Sequence, residues 1–285
     1  MTAAALFTEH RSHLIGVAYR LTGSVADAED AVQEAWFRFT SAQGIKDARA
    51  WLTTVVSRIC LDRLRSAAVR RETYVGSWLP EPLITSDDDP LEAVVRDDGV
   101  RMAALVVLDR LTPEQRVAFV LHDAFSVPFD EIADVLTVST AAARQHASRA
   151  RKAVAEADPP PRAALDEQRE VLEKFIAAVS AGDLNAVIEL LHPDAVVVGD
   201  GGGKVRTTVN VVTGADKVAR FIFGLVRKYH GVPQATPAMV NGDLGLLYPE
   251  QGEVAARVTT FAVRDGKVVA IYDHANPDKI GHVRF

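Results

Sequence analysis

LTPEQRVAFVLHDAFSVPFDEIADVLTVSTAAARQHASRARKAV, residues Leu111–Val154, carries the strongest local structural signals in the chain. Its punctuation predicts three short helices. Thr112 is placed to cap the first, Pro113 suits its first position, and Gln115 completes a capping box. A second helix is predicted from near Pro128, with Asp130 and Glu131 in its first turn and Ile132, Ala133, Val135 and Leu136 inward. Ser139 is placed to cap the third. On the helical wheel, Ala143, Ala147, Ala150 and Val154 fall on one side of that third helix. Arg144, Gln145, Ser148, Arg149, Arg151 and Lys152 fall on the other, and no acid interrupts the segment from Ser139 to Lys152. A small apolar face backing a basic, amide-bearing face suits a DNA major groove, where Arg reads guanine, Gln reads adenine and other cations hold phosphate. The short turn before it makes a helix-turn-helix. A solvated basic helix in an ordinary bundle is the bland alternative. The weak point is the turn LTVS, where Thr137 occupies a place that favours left-handed Gly or Asn, and a β-branched residue resists positive φ.

Composition bounds the rest. A chain of 285 residues, 48% hydrophobic, is long enough for two or three cored domains. The net charge of −6 means that nucleic-acid contacts must come from local basic patches. A single cysteine, Cys60, excludes an intrachain disulfide and any Cys-based metal cluster, which fits a reducing compartment. The opening MTAAALFTEHRSHL lacks a signal-peptide layout, and no apolar run approaches transmembrane length. A cytoplasmic protein without a membrane partner is therefore expected.

Upstream, residues 5 to about 70 read as all-helical. Leu14, Val17 and Leu21 share a face, Gly23 ends their helix and Ser24 opens the next. In SVADAEDAVQEAWFRF the buried stripe is Ala28, Val32, Ala35 and Phe39. Asp27, Asp30, Gln33 and Glu34 face away from it, with Phe37 pointing out among them. A large aromatic centred in a charged face marks an interaction surface for a basic, partly apolar protein. After the loop SAQGIKDA, the helix ARAWLTTVVSRICLDRLRSAAVRRE buries Leu52, Val55, Val56 and Ile59, with Cys60 beside them. Trp51, Arg58, Asp62 and Arg65 share a different face. Six Arg against one acid between Arg49 and Arg71, with an aromatic among them, would serve melted nucleic acid. An exposed helix with an Arg58–Asp62 pair is the competing reading.

DAEDAVQEAWFRF, ARAWLTTVVSRICLDRLR and FDEIADVLTVSTAAARQHASRARKAV, in that order and at these separations, resemble the extracytoplasmic-function sigma factors of bacterial RNA polymerase. The resemblance covers roughly the first 155 residues. It implies that Asp27, Glu29, Asp30, Gln33, Glu34 and Phe37 dock on the polymerase clamp helices. It implies that Arg58, Asp62, Arg63 and Arg65, with the loop from Ser41 to Ala48, handle the −10 element and its melted strand. It further implies that Thr140, Arg144, Gln145, Ser148 and Arg149 read the −35 element, with Ser139, Arg151 and Lys152 on the same DNA-binding surface. Between the helical units, WLPEP (Trp78, Leu79, Pro80, Glu81, Pro82) and an acidic run through Asp98 read as a linker. Its charge suits either a path through a basic polymerase interior or a plain solvated tether.

ADPPPRAALDEQ marks a second boundary. Beyond it come two helices and a strand, a third helix in GADKVARFIFGLVRKYHG, and strand-favouring pieces KVRTTVNVVTG, PAMVNGDLGLLYP and EVAARVTTFAVRDGKVVAIYDHA. Asn241-Gly242 and Asp265-Gly266 are predicted hairpin turns. The pattern is α+β, one curved sheet wrapped by helices, and over about Ala164 to Phe285 it resembles the SnoaL-like polyketide cyclase domains. With WLPEP upstream, DGGGK (Asp200, Gly201, Gly202, Gly203, Lys204) and NPDKI (Asn276, Pro277, Asp278, Lys279, Ile280) resemble the motifs of the sigma-factor group that carries a fused SnoaL-like regulatory domain. Ile280 replaces the usual Leu of the last motif. Asp194, Asp200, His192, Asp273 and His274 are the candidates for an acid or base in such a domain, and no spacing among them fixes a mechanism. DGGGK lacks the following helix start of a phosphate loop, so a turn with a flexible Lys tip is expected.

The expected fold is therefore two all-α domains, the second a helix-turn-helix, followed by an α+β SnoaL-like cone with a curved sheet. The expected divisions are 1–72 for polymerase docking and the −10 element, 73–100 for the linker, 101–157 for the −35 element and 164–285 for the regulatory tail. The expected function is that of an alternative sigma factor with a tail acting in cis, not an enzyme. No cofactor, metal or catalytic residue is expected. The partners are core RNA polymerase and promoter DNA, with a monomer when free, and a small ligand in the tail stays open. Two other classes remain at this point. One is a ligand-sensing one-component regulator, against which the face around Phe37 speaks. The other is a SnoaL-like cyclase or isomerase with a DNA-binding appendage.

Overall fold

The computed structural model describes residues 3–71, 74–84 and 100–285. The acidic run to Asp98 lies outside the described residues. In chain order the elements are α1 (Ala3–Thr22), α2 (Val25–Ser41), α3 (Ala48–Arg71), α4 (Met102–Leu108), α5 (Pro113–Phe119), α6 (Phe129–Leu136), α7 (Thr140–Ala157), α8 (Leu165–Ala181) and α9 (Leu184–Leu190). There follow β1 (Leu191–Asp200), β2 (Val212–Thr213), α10 (Ala215–Lys228), β3 (Thr236–Val240), β4 (Asp243–Tyr248), β5 (Arg257–Arg264), β6 (Lys267–His274) and α11 (Pro277–Ile280). None of the described helices is long and apolar enough to cross a membrane. The chain divides into two compact units. One is built from α1–α3 and Ala104–Pro159, and the other from residues 74–84, Arg101–Ala103 and Pro160–Phe285.

In the first unit, local sequence rules set the helix ends. Gly23, at φ 70°, closes α1, and Ser24 caps α2 by accepting from the Asp27 N–H at 3.2 Å. Leu14, Val17 and Leu21 on α1, Ala28, Val32, Ala35 and Phe39 on α2, and Leu52, Val55, Val56 and Ile59 on α3 are all buried. Each large apolar side chain so buried stabilises the fold by about 1.5–3 kcal/mol. The capping box on α5 is present in both directions: Thr112 Oγ1 accepts from Gln115 N–H at 3.3 Å, and Gln115 Oε1 accepts from Thr112 N–H at 3.2 Å. Instead of stopping at Phe119, the backbone widens into a π-helical stretch, Val120–Ala124. Thr137 then takes the left-handed conformation, φ 58° and ψ 48°, and its N–H satisfies the Ala133 carbonyl. The turn geometry is kept although the residue is the wrong type for it. On α7, Ala143, Ala147 and Ala150 are buried while Val154 is half-buried.

A buried arginine cross-braces this unit. Arg116 is 1% exposed; its Nε donates to the Arg20 carbonyl at 3.0 Å and its Nη1 to Asp109 at 3.1 Å. A guanidinium taken out of water needs such partners, and removing one would leave an uncompensated charge.

In the second unit, α8, α9 and α10 pack on a six-stranded sheet of order β2-β1-β6-β5-β4-β3. β1 and β6 run parallel, and every other neighbouring pair is antiparallel. Val171, Phe175, Val187, Val197, Phe261 and Ile271 lie in the core between helices and sheet. Asn241-Gly242 and Asp265-Gly266 form the predicted hairpin turns, all four residues at positive φ. The α+β pattern expected from the sequence is the one observed. KVRTTVNVVTG is the exception. Only Val212–Thr213 joins the sheet, and Val209 and Val211 are exposed, so no sheet face exists for their alternation.

Candidate functional site

The outer face of α2 holds the docking candidates. Phe37 is 62% exposed, whereas its neighbour Trp36 packs on Phe7 with ring centroids 4.8 Å apart. The helix thus turns one of two adjacent aromatics into the unit and leaves the other in water. Around Phe37, Gln33 is exposed and Glu34 pairs with Arg38 one turn on. Asp27 and Asp30 both reach Arg63 of α3, at 2.7 and 3.6 Å, and Glu29 reaches Arg11 at 3.6 Å. The acidic face is therefore partly neutralised by its own unit.

On α3 the Arg58–Asp62 pair of the competing reading gives way to other partners. Arg58 donates to the Asp134 carbonyl of α6 at 2.9 Å, and Asp62 lies 3.9 Å from Arg65. Arg65 also donates twice to one carboxylate oxygen of Glu114, at 3.1 and 3.0 Å. Within the first unit, two arginines of the basic α3 face are thus engaged by the helix-turn-helix segment. Trp51 is half-buried against Phe39, centroids 5.8 Å apart. Arg63 serves the α2 acids. The Arg58–Asp134, Arg63–Asp27 and Arg65–Glu114 contacts span 36 to 76 residues of sequence, which is why helical wheels missed them.

The outer face of α7 is as the sequence predicts. Arg144, Gln145, Ser148, Arg149, Arg151 and Lys152 are exposed, and Ser139 Oγ accepts from Ala142 N–H at 3.2 Å. The Arg144 guanidinium lies 5.6 Å from the Phe129 ring centroid. Arg151 Nε donates to Asp123 at 2.7 Å, and Lys152 lies 3.8 Å from Glu156.

In the second unit, three sequence motifs meet on one carboxylate. Asp200, at the end of β1, is 0% exposed. It accepts from the Tyr74 hydroxyl at 2.5 Å, the Leu79 N–H at 2.8 Å and Lys279 Nζ at 2.6 Å. Lys279 also donates to the Leu79 carbonyl and lies 3.9 Å from the Trp78 ring centroid. Asn276 donates to Tyr74 Oη at 2.8 Å, and Lys204 pairs with Asp278 at 2.6 Å. The Lys204 tip, expected to be flexible, is thus held. Burial, followed by the hydrogen bond to Asp200, pushes the Tyr74 hydroxyl well above its ordinary range. Gly202, at φ 61°, comes so close to Asn276 that a Cβ there would sit 2.5 Å from the amide. WLPEP, DGGGK and NPDKI therefore form one clasp. Tyr74 belongs to it although no motif marked it.

A second anchor holds the same segment further on. Asn241, fully buried in its turn, accepts from Leu83 N–H at 3.0 Å and donates its own N–H to the Leu83 carbonyl at 2.7 Å. Arg101 donates to Asp243 at 3.0 Å and to the Pro160 carbonyl at 2.6 Å, and both side chains of this pair are buried. Sequence reading marked Asn241 as a turn residue only.

Of the acid and base candidates of the tail, Asp200 and His274 are register partners on β1 and β6 with Asp273 beside them, and each has a structural duty. Asp273 holds Arg257 at 3.1 Å and Thr259 at 3.2 Å, and burial raises its carboxyl. His274 is fully buried beside the Val258 carbonyl, 3.2 Å from its Nδ1, and burial lowers its imidazole to about 4. His192 Nδ1 accepts from Asp194 N–H at 3.1 Å. Asp200 belongs to the clasp.

Two helical regions, one with an exposed aromatic in an acidic face and one with a basic outer helix, are arranged as the resemblance to sigma factors implies. The comparisons agree. Residues 6–70 match the model for Sigma-70 region 2, and residues 101–154 the model for Sigma-70, region 4. The ECF RNA polymerase sigma factor SigJ of Mycobacterium tuberculosis is 56% identical, over 96% of this chain and 91% of the relative. "Probable ECF RNA polymerase sigma factor SigI" of the same species is 34% identical, over 99% and 96%. The crystal structure of M. tuberculosis SigJ superposes with a TM-score of 0.82 at 52% identity, covering 98% of each chain. The chain belongs to the extracytoplasmic-function sigma factors. It accordingly directs promoter-specific transcription initiation with core RNA polymerase.

Proposed function

We propose a division of labour among the residues described above. Asp27, Glu29, Asp30, Gln33, Glu34 and Phe37 dock on core polymerase. Arg58, Asp62, Arg63 and Arg65 engage the −10 element, and Ser139 through Lys152 on the outer face of α7 engages the −35 element. The domains are 1–72, 73–100, 101–157 and 164–285. The factor is a cytoplasmic monomer when free.

The tail is a regulator in cis and not an enzyme. The clasp at Asp200 carries this reading. Residues 74–84 lie in the chain between α3 and α4, that is, between the two promoter-reading regions. The clasp and Asn241 hold those residues on the sheet unit, and Asp243 holds Arg101 at the far end of the same connection. The tail thereby governs the tether that separates the two regions. Asp200, Asp273 and His274 lie close together on β1 and β6, and their engagement by the clasp, by Arg257 with Thr259 and by the Val258 carbonyl favours regulation over catalysis.

In vitro transcription with core polymerase tests this. Removing everything after Asp158 should lower promoter-dependent transcription. Trimming from Asn276 onward, which removes Asn276, Asp278 and Lys279 from the clasp, should alter regulation and raise activity. If both truncations transcribe like the intact chain, the tail is not a cis regulator.

A further inference from the structure

Arg144 and Arg151 are seven residues apart on α7 and so share one stripe of its outer face. Each meets a side chain from outside the helix. Arg151 is paired with Asp123 at 2.7 Å. Arg144 lies over the Phe129 ring, which stacks in turn on the His122 imidazole with centroids 3.9 Å apart and planes at 27°. His122 and Asp123 are consecutive residues of the π-helical stretch Val120–Ala124. A continued α-helix would rotate these two positions differently. The widened turn brings Asp123 to Arg151 of α7 and His122 to Phe129 of α6, and Ser126, at φ 55°, and Val127, whose carbonyl lies 3.1 Å from His122 Nδ1, turn the chain back to Phe129. Such single-turn widenings are found at functional sites more often than elsewhere. Phe129 itself is only half-buried, while Ile132, Ala133, Val135 and Leu136 supply the buried face of α6. Its ring is thus available on the reading surface.

From this geometry we infer that Phe129 is a specificity-determining residue that acts through Arg144. The His122–Phe129 stack holds the guanidinium in a preset direction before DNA arrives. A planar fork that reads one base edge gains discrimination when its orientation is fixed, because less freedom is lost on contact and wrong edges cannot recruit other rotamers. The ring face supplies the hold by cation–π attraction. Phe129 is a positioning residue in this scheme and touches no base. The inference rests on the proposed −35 role of α7.

The test uses full-length chain reconstituted with core RNA polymerase, selecting from a duplex promoter library randomised across the −35 hexamer. R144A identifies the base pair that Arg144 reads as the position at which preference collapses. F129L should reduce preference at that same position by about two- to five-fold and leave the other positions unchanged. F129Y, which keeps the ring, should retain the wild-type preference. Thermal unfolding of each variant reports on packing. Collapse with R144A but unchanged preference with F129L overturns the stack and leaves the −35 reading intact. Uniform loss over all positions with F129L makes Phe129 a mere packing residue, which also overturns it. No selective loss with R144A overturns both.

Discussion

Phe37 and Trp36 are adjacent residues with opposite fates, and the difference is where function enters. Trp36 faces Phe7 and Phe39 and contributes to packing, while Phe37 contributes little to the fold because most of its surface stays in water. F37A combined with E34A should therefore leave thermal stability within about 0.5 kcal/mol of wild type. The same pair should weaken capture of core RNA polymerase by tenfold or more, about 1.4 kcal/mol, as expected of an aromatic anchor. Unchanged pull-down at equal protein concentration removes this face from the docking assignment. The exposed face was legible in the sequence because it depends on helical spacing alone. The electrostatic state of its acids was not, since Arg63 reaches Asp27 from another helix.

Among elements, the helix-turn-helix shows what local reading can and cannot reach. Thr112, Pro113 and Gln115 form their capping box within four residues, so the sequence holds all the information needed. The alanines of α7 are buried as their periodicity requires. The π-helical stretch left no such signature, and its His122 and Asp123 meet Phe129 and Arg151 of other helices. KVRTTVNVVTG shows the opposite failure: its alternation is that of a strand, and among the described residues it pairs only through the short contact of β2 with β1. Thr137 offers a measurable case. A β-branched residue at φ 58° carries strain of roughly 1 kcal/mol or more. Thr137→Gly or Thr137→Asn should stabilise the protein by about 0.5–1 kcal/mol in urea unfolding, with binding to the −35 element preserved. A destabilised variant would show that the threonine side chain makes a contact worth more than its backbone strain.

For the whole molecule, acidity is the condition to which the two units should respond alike. His13 in the first unit and His274 in the second are both lowered to about 4, chiefly by burial. The unfolded chain binds a proton at each near pH 6.5, whereas the folded chain stays neutral down to about 4. Stability is thus fully present above pH 6.5 and lost as pH falls toward 4. The fully buried His274 alone accounts for roughly 3 kcal/mol by pH 4. Denaturant unfolding at pH 7, 6 and 5 should give a falling midpoint, and NMR titration of the His274 ring should show no protonation above pH 5. A ring that titrates near 6.5 in the folded protein would contradict this.

The clasp also has a consequence in time. Leu79 and Lys279, which it joins, are 200 residues apart. At about 5–20 residues per second, a ribosome adds Lys279 some 10–40 s after Leu79. By then every residue of α1–α7 has been synthesised, and α2, α5 and α7 draw their N-caps from the residues just before them. A nascent chain therefore carries both promoter-reading regions before Asp200 can close on all its partners. Each molecule passes once through an unclasped youth, and a ribosome stalled between Ala157 and Asn276 would prolong it.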